Sequence, residues 1–190
     1  MNIEPELLKQ CRKNDRKAHN ALYKKCFGYL MAICLRYTNN REDAESLLNL
    51  AFLKIVSNLD KYKPEVPFGS WINRITVNTI IDQFRRDKKR RENMTNADFQ
   101  EVDVNAVGVD FNKASEELDA QELETMIQKL PDRSRKVFNL YAIDGYTHKE
   151  IGEMLGISDG TSKWHVSFAR KTLQGMIKEM MKKMMTITLL

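Results

Sequence analysis

The sequence predicts an all-α protein: two small helical domains joined by a flexible acidic linker, the C-terminal domain carrying a helix-turn-helix. Three observations lead there. Apolar residues recur at three- and four-residue spacing through most of the 190 residues, the period of helices that bury one face. The period lapses from Glu92 to about Lys113, where small, polar and acidic residues dominate, as in a segment with little apolar surface to bury. Charge divides the same way. Residues 1–95 hold 19 basic and 11 acidic side chains, residues 96–124 hold 1 and 9, and residues 125–190 hold 11 and 6. Two basic bodies around an acidic connector fit a polyanion held at both ends. The expected boundaries are 1–91, 92–113 and 114–190.

From the N-terminus, Glu4 to Lys13 predicts a short helix opened by Pro5, a residue favoured in a first helical turn. Asn14-Asp15 interrupts it and caps a longer helix to about Arg36, with Ala18, Leu22, Phe27, Leu30, Ile33 and Cys34 as its apolar stripe. Asn39-Asn40 is the next break. Glu42 and Asp43 then occupy the first turn of a third helix, where negative charge is favoured. That helix buries Ala44, Leu47, Leu48, Ala51, Phe52, Ile55 and Val56, and its edge carries Asp43, Glu45, Asn49 and Lys54. Such an edge reads as a solvated face or, more sharply, as a surface that docks on another protein.

Two prolines and a glycine make Asp60–Gly69 a loop, after which Ser70 caps a helix to about Arg91. Phe68, Trp71, Ile72 and Ile75 form one apolar set, and Val77, Ile80, Ile81 and Phe84 a second. Between them Arg74, Asn78, Asp82 and Arg86 stand four apart on one face. The helix ends in RRDKKRR, six positive charges and one negative over residues 85–91. Cations at the end of a long helix beside an aromatic loop suit a single nucleic-acid strand, charge for its backbone and rings for its bases.

The second domain begins near Ser115. Leu118, Leu123, Met126, Ile127 and Leu130 pattern its first helix, which stops before Pro131. Asp132 starts the next, with Val137, Phe138, Leu140, Tyr141 and Ile143 inward and Asp144-Gly145 as its end. The helix-turn-helix follows. Ile151, Met154 and Leu155 keep helical spacing, Gly152 offers a surface for close packing, and Gly156 suits a left-handed helix end. Ser158 or Asp159 caps a second helix that buries Ser162, Val166, Ala169 and Leu173. Its outward positions are Thr161, Lys163, Trp164, His165, Ser167, Phe168, Arg170 and Lys171, a cationic face suited to a major groove. Trp164 and Phe168 form an apolar ridge that packs either on thymine methyls or back onto the domain. The helix is expected to continue through MIKEMMKKMM, where five of ten methionines cluster.

Other chemistry finds little support. Cys11, Cys26 and Cys34 form no C-x-x-C pair, and His19, His148 and His165 are scattered, so no zinc spacing appears. There is no phosphate-cradling glycine loop and no nucleophile elbow. No apolar run approaches the ~20 residues of a membrane span. These readings lead to the expectation of a non-enzymatic, cytoplasmic protein without cofactor, metal or stable membrane insertion.

The order of parts resembles a bacterial RNA polymerase sigma factor of the extracytoplasmic-function group. The resemblance rests on REDAESLLNLAFLKI (41–55), FGSWINRITVNTIIDQFRR (68–86) and LPDRSRKVFNLYAIDGYTHKEIGEMLGIS (130–158). The second block holds the complete skeleton Trp71, Arg74, Ile75, Asn78, Asp82, Arg85 and Arg86. The resemblance implies partners: core RNA polymerase, promoter DNA and an anti-sigma factor. It assigns polymerase docking to Asp43, Glu45, Leu48, Asn49, Phe52 and Lys54. It assigns the downstream promoter element, with duplex opening and capture of a flipped base, to Tyr62, Trp71, Arg74, Asn78, Arg85, Arg86 and Lys88. Within that set Trp71 shares a stripe with Ile72 and Ile75 and reads as core, and Asp82 is expected to orient Arg85 or Arg86. The upstream element falls to the outward residues of the recognition helix. Asn49-Leu50 replaces a Gln-Glu pair common in the family, and His165 and Phe168 stand where arginine is common. The competing reading is a one-component regulator that uses the helix-turn-helix, with a sensor or dimerisation domain before it.

Overall fold

Helix boundaries in the computed structural model, which describes residues 1, 3–92 and 120–188, fall largely where capping residues put them. Helix α1 spans Pro5–Arg12 and α2 Arg16–Tyr37. Between them Asn14 takes a positive φ of 60°. The Asp15 carboxylate then accepts from the backbone N–H groups of Lys17 (2.7 Å) and Ala18 (3.1 Å). Those bonds, Ala18 first, hold its pKa below the ordinary carboxylate value. Helix α3 spans Arg41–Ser57, and the Asn40 side chain accepts from Asp43 N. A 3₁₀ turn, Leu59–Lys61, and a short loop lead into α4, Phe68–Glu92. Expected with Ser70 as its cap, α4 starts three residues earlier, with Phe68 as its first residue: the Pro67 carbonyl already accepts from Trp71 N at 3.1 Å.

Together these four helices form the first compact unit, Met1–Ala97. Its core gathers Leu22, Leu30, Cys34 and Tyr37 of α2, Leu48 and Ile55 of α3, and Ile72, Ile80 and Ile81 of α4, all fully buried. Along α2 the inward position belongs to Cys26, while Phe27 is half-buried at the flank against Tyr23. Spacing explains the difference, since Leu22, Cys26 and Leu30 are four apart and Phe27 falls one step off that line. The three cysteines are free and buried. Burial pushes the Cys26 thiol up to about 11 and that of Cys34 to about 12.

The second unit is Asp98–Leu190. Its described elements are α5 (Ala120–Gln128), α6 (Asp132–Phe138) continuing into a π turn (Asn139–Ile143), α7 (His148–Leu155) and α8 (Asp159–Thr188). No strand occurs among the described residues. The π turn corrects the expected pattern. Its extra residue lets Asp144 N reach Asn139 O, and the added rotation turns Ile143 outward to 43% exposure, as in the single π turns that interrupt α-helices. Helix α8 does run on past Leu173. Its extension closes the core, where Ala169, Leu173 and Ile177 pack with Met126, Ile127 and Leu130. Arg135 is buried as well. Its guanidinium donates to the Gln128 carbonyl (3.0 Å) and to Asp132 (3.1 Å), tying α5 to α6. The expected linker 92–113 lies, from residue 93 onward, outside the described residues.

Candidate docking and nucleic-acid interfaces

On α3 the buried stripe is Ala44, Leu47, Leu48, Ala51, Phe52 and Ile55. Two residues expected at the docking face therefore belong to the core: Leu48 is fully buried, and Phe52 packs edge-on against Tyr23 with ring centroids 5.0 Å apart. Val56 is only half-buried. Asn49 is exposed and accepts from the Tyr23 hydroxyl at 3.0 Å. The acidic edge is engaged within its own helix, Asp43 with the capping Asn40 (2.8 Å) and Glu45 with Arg41 (2.8 Å). Lys54 donates to Asp82 of α4 at 3.1 Å. What the outer face presents instead is apolar: Leu50 is 44% and Leu53 64% exposed. Spacing carries the signal for this face, since both leucines fall outside the inward period of α3, whereas the charges alone do not reveal it.

A groove of about 280 Å³ opens between the end of α3 and α4, lined by Lys54, Asn58, Lys61, Trp71, Ile75, Asn78 and Thr79. Its aromatic side is Trp71, against which Tyr62 and Phe68 pack. Tyr62 meets Phe68 edge-on at 5.2 Å and Trp71 at 5.1 Å, and its hydroxyl donates to the Val66 carbonyl at 2.9 Å. Phe68 is buried, while Tyr62 and Trp71 are half-buried, so Trp71 is part core and part groove wall. The Asn58 amide donates to the Lys54 carbonyl at 2.8 Å, which fixes the opposite rim. Arg74, Asn78, Arg85 and Arg86 are exposed. Asp82, expected beside Arg85 or Arg86, reaches to Lys54. Lys88 lies on α4, with its side chain outside the described residues. Chemically this is a slot with an aromatic wall, an amide edge and a cationic rim, the combination that holds an unstacked base and its phosphates.

In the second unit α7 and α8 make the helix-turn-helix. Thr147 and Glu150 close a reciprocal capping box on α7, the T-x-x-E pattern that marks a helix start in sequence. Gly156 ends the helix at φ 64°. A Cβ on Gly152 would stand 2.8 Å from the Ile157 carbonyl oxygen, so only glycine lets the turn close. Ser158 is the cap of α8, accepting from Thr161 N at 3.0 Å. Ser162, Val166, Ala169 and Leu173 are buried.

The outward face of α8 is narrower than expected. Lys163, Arg170 and Lys171 are exposed, while Thr161, Trp164, Ser167 and Phe168 are half-buried. His165 is not on that face. It is 7% exposed, and its Nδ1 lies 2.9 Å from Ser134 Oγ of α6. At 300° around the helix from Ser162 (three residues at ~100° each) it falls on the flank toward α6. Burial, helped by the Arg133 charge, lowers its pKa to about 4. Trp164 and Phe168 stack on each other, centroids 5.3 Å apart and rings 19° from parallel. Behind the cations stands a pair no sequence signal exposed. Tyr141 stacks on His148 at 4.3 Å, and the Arg170 guanidinium lies 5.7 Å from the Tyr141 ring centre. His148 Nδ1 is 3.0 Å from Ser162 Oγ. Its pKa is lowered chiefly by burial, with Asp159 opposing and Lys163 and Arg170 reinforcing the shift.

Comparison with known proteins follows the same two parts. The family model for Sigma-70 region 2 matches residues 22–91, and that for Sigma-70, region 4 matches residues 120–173. The chain is 28% identical over 182 residues to the ECF RNA polymerase sigma factor SigW of Bacillus subtilis (strain 168), covering 91% of this chain and 96% of that protein. It is 32% identical over 145 residues to the RNA polymerase sigma factor SigZ of the same strain, covering 74% and 76%. A solved sigma factor, RpoE of Bartonella quintana in complex with the anti-sigma factor NepR, is similar at a TM-score of 0.49 and 19% identity, over 84% of this chain and 96% of that one.

Proposed function

The chain belongs to the RNA polymerase sigma factors of the extracytoplasmic-function group, and from that premise we propose how its surfaces divide the work. As a sigma factor it binds core RNA polymerase and directs promoter recognition, DNA opening and transcription initiation. It is read as non-enzymatic and cytoplasmic, with the polymerase supplying the chemistry and an anti-sigma factor as its antagonist. Among the described residues no helix is long and apolar enough to cross a membrane.

Docking falls to the outer face of α3, where Leu50 and Leu53 form an apolar centre between Asn49 and the paired Asp43, Glu45 and Lys54. Exposed leucines gain by burial in an interface, whereas ion pairs already satisfied within the subunit gain little. The groove between α3 and α4 takes a flipped base of the non-template strand: Asn78 hydrogen-bonds its edge, Trp71 and Tyr62 pack on its face, and Arg74, Arg85, Arg86 and Lys88 follow the backbone. Flipping costs a few kcal/mol of unstacking, which those contacts offset. On α8, Lys163, Arg170 and Lys171 reach phosphates or guanine edges of the upstream element, flanked by Thr161, Ser167 and the Trp164–Phe168 ridge. The domain division 1–91, 92–113 and 114–190 serves this scheme.

The observation that carries the reading is the groove itself, because a helix-turn-helix alone would equally serve a regulator that binds duplex DNA unaided. The test is reconstitution. Mixed with core polymerase, the protein should footprint both elements, render thymines of the opened strand reactive to permanganate and support run-off synthesis. Free protein should footprint neither element. Tight binding by the free protein without any opened strand would instead identify a one-component regulator.

A further inference from the structure

The family match on the first unit begins at residue 22, so α1 lies outside it, yet α1 holds the turn that carries Lys61 to the groove. Arg12, its last residue, donates through Nε to the Leu59 carbonyl at 3.2 Å and through Nη2 to the Tyr62 carbonyl at 3.4 Å. Its Nε is also 3.9 Å from the Asp60 carboxylate. One guanidinium thus spans the turn that leads from α3 into the loop. The turn carries Lys61, which lines the groove, and Tyr62, whose ring leans on Trp71.

We infer that Arg12 is a positioning residue for the base-capture groove, its planar fork fixing the 59–62 turn so that Lys61 and the Tyr62–Trp71 wall stand ready before DNA arrives. Both ends of the bridge are anchored. On α1, Leu8 and Cys11 are buried, and on the turn Leu59 is buried. The turn's own bonds are few: Lys61 N donates to Asn58 O (2.9 Å) and Tyr62 N to Leu59 O (3.2 Å). The Leu59 carbonyl therefore accepts from both Tyr62 N and Arg12, and the Tyr62 carbonyl is held by Arg12 from outside the loop. An ammonium has donors enough but carries them on one nitrogen at the end of a flexible stem, whereas the guanidinium serves the two carbonyls from two nitrogens held in one rigid plane. A groove held in its binding shape captures a base without first ordering its own wall.

The inference rests on reading the groove as the site of a flipped base, and the test separates the two. Holoenzyme is assembled with wild-type protein or with Arg12→Lys, which keeps the charge and the apolar stem. Opening rates are measured on promoters in which an abasic site is walked through the non-template strand. Wild-type holoenzyme should slow sharply at one abasic position. In Arg12→Lys the ratio of intact to abasic rates at that position should fall by roughly tenfold, the scale of losing one charge-assisted hydrogen bond. Affinity for core polymerase should stay unchanged, and the urea midpoint of the first unit should fall by no more than the loss of that one hydrogen bond entails. If the wild type is indifferent to every abasic position, the groove reading falls and the inference with it. If the wild type is sensitive and Arg12→Lys keeps the full ratio, the brace alone is overturned. A parallel loss of polymerase binding, opening and stability with the ratio intact would also overturn it, assigning Arg12 to folding.

Discussion

His165 and Phe168 are three residues apart on α8, and the pattern of alternating faces is too coarse to separate them. Phe168 stays at the edge of the outward face, stacked on Trp164, whereas His165 turns in to meet Ser134. A polar residue beside a cationic stripe reads as outward until its partner, 31 residues away, is known. The difference is measurable by titration. His165 titrates near 4 in the folded protein against an ordinary 6.5, so unfolding takes up a proton between those values. Its contribution to stability is complete above the unfolded value and is lost as pH falls toward the folded one. The urea midpoint of the second unit should therefore drop between about pH 6.5 and 4 more steeply than in His165→Asn, which keeps a polar partner for Ser134 without titrating. Equal slopes would show that His165 does not contribute. Phe168→Arg, by contrast, should shift the preferred upstream bases in a promoter-library selection. Stability should fall by only about 1 kcal/mol, the worth of one ring pair. A drop of several kcal/mol with preference intact would place the ring in the core.

Among the elements, α3, α4 and the helix-turn-helix were legible in their approximate bounds and in most of their buried positions, because each pairs a strong apolar period with an Asn, Pro or Gly boundary. The docking face was less so. Acidic residues suggest a docking edge, but Asp43 and Glu45 are spent within α3. Reversing Asp43 would remove a cap partner as well as a charge, which makes it a poor probe of docking. Leu53→Asp is the cleaner one. It should weaken core-polymerase binding by about tenfold, the scale of a modest interface hot spot, and leave the melting temperature nearly unchanged. Leu48→Ala should do the reverse at the level of cause, destabilising the first unit by about 2–5 kcal/mol through a buried cavity. Unaltered polymerase affinity in Leu53→Asp would remove that face from the interface. In the second unit Gly152→Ala places a methyl group 2.8 Å from the Ile157 carbonyl oxygen. The turn should open at a cost of about 1–3 kcal/mol, read as a lower urea midpoint of the second unit with that of the first unit retained.

At the scale of the whole molecule, the charge partition was plain in the sequence, but which cations are held in ion pairs on its surface was not. Lys54 is taken up by Asp82 and Lys136 by Asp132. Lys163 pairs with Asp159 at 2.7 Å, an ion pair at the first turn of α8 that a phosphate can replace. Arg85, Arg86 and Lys171 are exposed. On the proposed division of work, with a single strand on the first basic body and a duplex on the second, the two should contribute to DNA binding with different salt signatures. Removing one phosphate-bound cation should flatten the log–log salt dependence by about 0.7 on a single strand and about 0.9 on a duplex. Arg85→Ala with Arg86→Ala should lower the holoenzyme's slope on a forked promoter that exposes the non-template strand, and leave its slope on a duplex upstream fragment alone. Lys163→Ala with Lys171→Ala should do the opposite. Titrations of both variants on both templates between about 50 and 200 mM salt make four comparisons. A slope that moves on the wrong template, or on neither, would mean that the pair tested does not bind the strand assigned to it.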